Sequence, residues 1–404
     1  MRLLQINTTL NTTSTGRIME EIGVYAMDHG FESIAAFSHL GSSGSALRPI
    51  KIGNKLDQYL HGIKTRLFDR HGFGSAKATR ELVKQIDEIA PDIIGLHNLH
   101  GYYLNVEILF TYFKKIQKPV VWTFHDCWPF TGHCVYFDRI GCEKWRTECR
   151  RCPQKTKYPA SYGLDNSKVN YHQKKELFSG LKNLTIVTPS RWLKDLVEQS
   201  FLRNYPVKVI HNGIDLKTFR PDTENLPAEI KNIEKKIVLG VASVWDQRKG
   251  LQEFVKLSRL LDEDYQVVLV GLTQKQMDDL PNEIIGIART ENIQQLASLY
   301  SAAEVFVNPT LSDNFPTTNL ESLACGTPVI TYNTGGSPEA VDGKTGIVVP
   351  RGDIRKLKVA TEGLEDNKQT IGEEDCRLRA EKMFNKDDRY RDYLNLYNEM
   401  ISRT

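Results

Sequence analysis

Two acidic residues, Asp313 and Glu321, stand in the segment NPTLSDNFPTTNLESLACG, where a predicted strand gives way to a predicted helix. EVFVNPT reads as a buried strand, Pro316 suits a first helical position, and Leu320, Leu323 and Ala324 form an apolar face closed by Gly326. A helix start turns unpaired backbone N–H groups outward, and a carboxylate one turn further in can accept two hydrogen bonds from a ribose diol. The loop from Ser312 to Thr318 can thus offer donors to sugar hydroxyls while Glu321 takes a ribose. The plainer reading is an acid on a solvated helix face.

A second set lies upstream in KIVLGVASVWDQRKGLQEFVKLSRLL. The pattern predicts a strand ending near Ser243, a loop carrying Arg248, Lys249 and Gly250, and an amphipathic helix with Leu251, Phe254, Leu257 and Leu261 inward. Cations at a helix start oppose the helix dipole unless an anion binds between them. A diphosphate removes that conflict, each charge-assisted contact contributing about 1.5–3 kcal/mol. The alternative is a solvated basic loop.

With both segments in view, the chain resembles the retaining glycosyltransferases of family 4 through nearly all its length. The resemblance implies an α/β protein of GT-B fold, in which two Rossmann-like, doubly wound parallel-sheet domains face a cleft. The family motif of two Glu residues with seven between them appears as Asp313 and Glu321, the first acid one methylene short. By this resemblance Glu321 holds the nucleotide ribose, Asp313 with the backbone of Asn314 and Phe315 holds donor-sugar hydroxyls, and Arg248 with Lys249 binds the diphosphate. The family places its Arg five residues before the Lys, where this chain has Val244. In the first half, the loop Thr13 to Arg17 matches the place of the family's glycine-rich loop and keeps only Gly16. PVVWTFHDCWPF carries a strand into His125 and Asp126 at its C-terminal end. A histidine there is by default a hydrogen-bonded structural residue, whereas the resemblance implies an active-site His125 beside the donor sugar, with Asp126 and Asp313 also at the reacting centre.

The elements that must position these residues are consistent with that reading. At 404 residues and 40% apolar content the chain can bury two cores, and strands alternate with helices in both halves. The expected domains are 1–202 on the acceptor side, 203–385 for the nucleotide sugar, and a final helix, 386–404, packing back on the first domain. No run has the roughly 18 apolar residues of a spanning helix, nor does MRLLQINTTLN supply a signal-peptide core, which predicts a cytoplasmic chain. Residues 1–200 hold 27 Lys and Arg against 19 Asp and Glu, while 201–404 hold 26 against 31. A basic acceptor half can meet anionic headgroups at the inner membrane face or the pyrophosphate of a lipid-linked sugar acceptor. KLDQYLHGIKTRLFDRHGF mixes Leu60, Ile63, Leu67 and Phe68 with Lys55, Lys64, Arg66 and Arg70. Its apolar spacing is what packing on a sheet needs, so a packed helix is expected. Nucleic acid is excluded as a partner by the small net charge of +3 and the lack of an aromatic-basic motif.

Five of seven cysteines lie between Cys127 and Cys152. In a cytoplasmic chain disulfides are disfavoured, so Cys134, Cys142, Cys149 and Cys152 are expected to bind structural zinc in an insertion spanning about 127–160, with free thiols as the alternative. A subgroup of family 4 enzymes from surface-polysaccharide pathways has a similar Cys-rich insertion. Catalysis itself is expected to need no cofactor, Arg248 and Lys249 neutralising the leaving group. The expected partners are a nucleotide-sugar donor, with a uridine base, and a glycan or lipid-linked sugar acceptor. An epimerase of the same fold and a non-catalytic sugar-nucleotide binder are the competing readings.

Overall fold

The computed structural model describes residues 1–41, 44–364 and 370–403. The chain divides into two compact units, Met1–Ile210 joined by the C-terminal turns from Tyr390, and His211–Arg389. In the first unit seven strands, β1 (Arg2–Leu10), β2 (Glu32–Leu40), β3 (Arg48–Lys51), β4 (Ile93–Leu96), β5 (Val120–Thr123), β6 (Leu184–Thr188) and β7 (Val207–Val209), run in the order β3-β2-β1-β4-β5-β6-β7. In the second, β8 (Lys236–Val241), β9 (Tyr265–Val270), β10 (Ile284–Ile287), β11 (Val305–Asn308), β12 (Val329–Tyr332) and β13 (Gly346–Val349) run β10-β9-β8-β11-β12-β13. The strand pairings of both sheets are parallel. Parallel sheets need crossover helices on both faces, which is why IIGL, VVWT and VFVN are buried at every position. Each order reverses direction once, beside β1 and beside β8, and ligands in such sheets gather beyond the strand C-termini at that reversal.

The division of the chain follows from what packs on each sheet. Strand β7 pairs with β6, so the first unit runs on to Ile210, past the expected limit of 202. The helix Lys386–Ser402 spans the second break: Tyr390, Tyr393, Leu396, Tyr397 and Met400 share a core with Leu3, Ile18, Ile93 and Val121 of the first unit. Tyr397 and Tyr393 are buried there, and Thr123 Oγ1 donates to the Tyr393 hydroxyl at 3.3 Å.

One helix reverses its expected orientation. Lys55–Phe68 is helical and starts with a capping box between Asn54 and Asp57, but its buried residues are His61, Gly62 and Thr65. Leu56, Tyr59, Leu60, Leu67 and Phe68 are exposed. His61 explains the inversion. Its Nε2 accepts from the backbone N–H of Gly72 and of Gly74, both at 3.2 Å, and its Nδ1 meets Ser75 Oγ at 3.0 Å. Buried backbone donors must find acceptors, and here a histidine on the inward face supplies one for two of them. The side chains that would have packed on the sheet therefore face out.

Candidate active site

In the second unit the loops after β8 and β11 are tied together before any ligand is considered. Asp246 Oδ1 accepts from the backbone N–H of Arg248 at 2.8 Å and of Lys249 at 3.0 Å, an Asx-type turn that sets the basic loop. The Arg248 carbonyl accepts from Leu311 N–H at 2.7 Å. Gly250 sits at φ +82°, and a Cβ there would lie 2.3 Å from the Pro309 carbonyl oxygen, so the close approach of the loops requires glycine. The helix Leu251–Ser258 begins next, with Phe254 and Leu257 buried as expected.

This framework brings Arg248, Lys249 and Asp313 together. Lys249 Nζ lies 2.6 Å from Asp313 Oδ2, and Arg248 Nη1 lies 3.6 Å from the same oxygen while donating to the Ser312 carbonyl at 3.0 Å. Burial pushes the Asp313 carboxyl up, but the charges of Lys249 and Arg248 and hydrogen bonds from Lys249 and the Asn314 N–H outweigh it and hold it below the ordinary range. Asp313 is thus a carboxylate at neutral pH. Val244, where the resembling family has its arginine, is 67% exposed. Arg248 reaches the carboxylate from inside the turn instead.

The helix Thr317–Ala324 starts one residue later than expected, with Pro316 as its N-cap. Glu321 lies one turn in, and the buried Tyr300 hydroxyl donates to its Oε2 at 2.9 Å, fixing one oxygen. Asn319 is buried and braces the helix start: it accepts from Asn308 Nδ2 at 2.7 Å and donates to Ser337 Oγ at 3.0 Å. Gly335, at φ +56°, lets the loop after β12 pass so close that a Cβ would sit 1.7 Å from the Asp313 carbonyl oxygen. The Phe315 ring stacks on His211 at 4.8 Å, and its carbonyl accepts from Asn212 Nδ2 at 2.9 Å, so this side chain anchors the loop.

In the first unit, His125 and Asp126 follow β5, and each belongs to a hydrogen-bonded chain that the sequence reading did not contain. His97 Nε2 meets Gln5 Oε1 at 3.2 Å, and Gln5 Nε2 donates to the Met19 carbonyl at 2.9 Å, which fixes the amide. His97 therefore carries its proton on Nε2, and His125 Nε2–H donates to His97 Nδ1 at 3.1 Å. Burial, opposed by Asp126 and aided by His100, lowers His125 to about 4. The ring is therefore neutral at physiological pH.

Asp126 accepts from His100 Nε2 at 2.7 Å and from the Trp128 N–H at 2.9 Å, and His100 Nδ1 accepts from the Tyr158 hydroxyl at 3.1 Å. Burial works to raise Asp126, but His100 and the Trp128 N–H hold it below the ordinary carboxylate range. HNLH directly after β4 was the available signal for His97 and His100. Nothing in the sequence placed Tyr158, which reaches His100 from the Cys-rich insertion. Gly16 lies in the first turn of the helix Thr13–Asp28, where a Cβ would come within 2.7 Å of Thr9 Oγ1. Its visible role is close packing on the end of β1.

The insertion gathers Cys134, Cys142, Cys149 and Cys152 around one small cavity with His133. The expected tetrahedral zinc is not met by this arrangement: among the described residues no three His, Cys, Asp or Glu side chains are placed to hold an ion. The Cys134 thiol is hydrogen-bonded to Cys152, and His133 Nδ1 is engaged at 2.5 Å by the buried Asp69. Trp128, Phe130 and Trp145 are buried and pack the insertion. The buried Lys174 donates to the Trp128 and Thr131 carbonyls at 2.8 and 3.1 Å and lies over the Trp128 ring.

Comparison with known proteins decides the family. Residues 48–218 match the model described as Glycosyltransferase Family 4, and residues 235–367 match that described as Glycosyl transferases group 1. The chain belongs to glycosyltransferase family 4. This family 4 enzyme is 27% identical over 300 residues to the "Putative colanic acid biosynthesis glycosyl transferase WcaC" of Escherichia coli strain K12, across 72% of each chain. It is 26% identical over 207 residues to the capsular polysaccharide biosynthesis glycosyltransferase CapM of Staphylococcus aureus, covering 48% of this chain and 54% of that one. Among solved structures, sucrose-phosphate synthase from Thermosynechococcus elongatus matches with a TM-score of 0.73 at 17% identity, over 100% of both chains. Anabaena HepE in complex with UDP-glucose matches with a TM-score of 0.68 at 14% identity, also over 100% of both. The family 4 enzyme has the GT-B fold and is a retaining transferase.

Two predictions follow from the charges. Lys249→Ala leaves the Asp313 carboxylate short of its nearest cation, so the second unit should lose about 1–3 kcal/mol. Adding Asp313→Asn should restore most of that loss, which a double-mutant cycle of urea midpoints reads as coupling. Additive losses would mean the ion pair contributes nothing. In the first unit, burial holds His71 and His97 well below the ordinary imidazole value and His61 and His125 at about 4. His133 is the opposite case: burial lowers it, but Asp69 outweighs burial and raises it. Unfolding frees the four lowered rings to bind protons that the fold refuses. Stability should therefore fall as pH drops from about 6.5 toward 4, with His133 offsetting part of the loss. A urea midpoint for this unit that stays level or rises over that window contradicts the assignment.

Proposed function

We propose that this family 4 enzyme moves a hexose or related residue from a nucleotide diphosphate sugar, with uridine as the base, to a hydroxyl of a growing lipid-linked glycan of a cell-surface polysaccharide. The observation that carries this reading is the pair of cations converging on Asp313 beyond the C-termini of β8 and β11. The printed functions of WcaC and CapM support the pathway, and the UDP-glucose bound by HepE supports the donor class. No helix among the described residues is long and apolar enough to cross a membrane, and the reaction is placed at the cytoplasmic face, where nucleotide sugars are held.

In this mechanism the donor diphosphate takes over Lys249 and Arg248, and Asp313, released from them, accepts hydrogen bonds from donor-sugar hydroxyls, aided by the Asn314 and Phe315 backbone. Glu321, one oxygen already held by Tyr300, accepts the ribose diol. The acceptor oxygen forms its bond to the anomeric carbon on the face from which the diphosphate departs. The electron pair of the broken C–O bond goes to the diphosphate oxygen, which also receives the acceptor's hydroxyl proton. Lys249 and Arg248 stabilise the charge that develops there, so the residues themselves supply the electrophilic help. His125, which the family resemblance assigns to the donor sugar, is neutral and fixed by His97, so it meets a sugar hydroxyl as an uncharged hydrogen-bonding ring. Asp126 orients His100, and through it Tyr158, as positioning residues on the acceptor side.

Lys249→Ala should weaken UDP binding by about 1.5–3 kcal/mol, roughly tenfold to a hundredfold, and leave uridine affinity unchanged. Calorimetric titration of both ligands checks this. Equal losses for UDP and uridine would mean that Lys249 shapes the fold and does not contact phosphate.

A further inference from the structure

The outward face of the helix Lys55–Phe68 has no role in the donor or acceptor chemistry, yet it exposes five large apolar side chains, Leu56, Tyr59, Leu60, Leu67 and Phe68. Leu56, Tyr59, Leu60, Ile63 and Leu67 fall at intervals of three and four, which places them within an arc of about 100° on a helix of 3.6 residues per turn. Tyr59 is 63% exposed and Leu60 54%. On the same helical wheel Lys64 flanks the arc on one side and Lys55 and Arg66 flank it on the other, while His61 and Thr65 are buried opposite. The patch continues beyond the helix. Tyr162 N–H donates to the Arg66 carbonyl at 2.8 Å and Leu164 N–H to the Leu67 carbonyl at 2.9 Å, which seats the exposed side chains of Tyr162 and Leu164 at the helix end.

We infer that this face is a docking surface for an anionic lipid bilayer, with the helix lying in the plane of the interface. A soluble surface helix puts its apolar stripe inward; this one puts a polar hub inward and its stripe outward, held there by the hydrogen bonds of His61. Large exposed apolar patches rimmed by polar groups mark interaction surfaces. The choice of occupant rests on charge. Lys55 and Arg66 sit together at one edge of the stripe, where lysine and arginine stems run along acyl chains and their heads meet phosphate, while Lys64 at the other edge donates to the Phe73 carbonyl at 2.8 Å. On this helix the one acid, Asp57, is engaged in the N-terminal capping box. A second copy of the same chain would bring cations against cations, which disfavours a symmetric dimer through this face. The inference does not depend on the transfer reaction, since bilayer binding is measured without donor or acceptor.

The test is co-sedimentation of the full chain with vesicles of phosphatidylcholine alone and of phosphatidylcholine mixed with phosphatidylglycerol. Binding to the mixed vesicles should exceed binding to the neutral ones and weaken with added salt. Leu60→Ser with Leu67→Ser should lower partitioning by at least about tenfold, and Lys55→Glu with Arg66→Glu should lower it on anionic vesicles only. All four residues are exposed, so the melting temperature and its shift with UDP should not change. No binding of the wild type to anionic vesicles overturns the inference. So does unchanged binding by the Leu60/Leu67 variant, or a wild-type dimer that this variant dissociates while vesicle binding is absent.

Discussion

Asp313 is a buried carboxylate, and a buried charge is tolerated only when compensated. Much of the second unit's ligand-facing end can be understood as that compensation. The Asx-type turn at Asp246 aims Lys249 and Arg248 at the carboxylate, Gly250 lets the basic loop close on Pro309, and Gly335 lets the loop after β12 close on Asp313 itself. The buried Asn319 network holds the helix start that follows. One ion cluster therefore orders three loops that come from different strands. The same cluster is suited to a diphosphate sugar, because replacing one anion by another between two fixed cations requires little reorganisation.

The first unit solves its electrostatics in the opposite way. Burial keeps His61, His71, His97 and His125 neutral, and the chain from Gln5 through His97 fixes the tautomer of His125, so this ring is an uncharged one. Asp126 carries its charge against His100, and the chain ends on Tyr158, contributed by the Cys-rich insertion. This gives the insertion a definite part: its buried aromatic residues extend the core of the first unit, Lys174 ties the Trp128 and Thr131 carbonyls, and Tyr158 brings one hydroxyl to His100 beyond β4.

The parallel sheets were legible because strands such as VVWT and VFVN open with three consecutive apolar residues and lie between amphipathic helices. The cluster of Arg248, Lys249 and Asp313 was legible because cations at a helix start and acids beyond a strand conflict with their surroundings unless something compensates them. What was not legible depends on contacts between distant segments. His61 looks like any helix residue until Gly72 and Gly74 are seen to need its nitrogen, and this single requirement turns Leu60 and Leu67 outward. Gly16 fits a ligand loop by position but packs on Thr9 in space. The four cysteines have the composition of a zinc site, while their orientation depends on partners such as Asp69, 64 residues from His133.

The central claim is that the donor is held by the loops after β8 and β11. Hydrogen–deuterium exchange of the full chain with and without saturating UDP tests it most directly, since each segment reports separately. Slowed exchange concentrated in residues 246–253 and 311–321 is the predicted result. UDP binding that leaves those segments unprotected, or that protects only segments of the first unit, would contradict it.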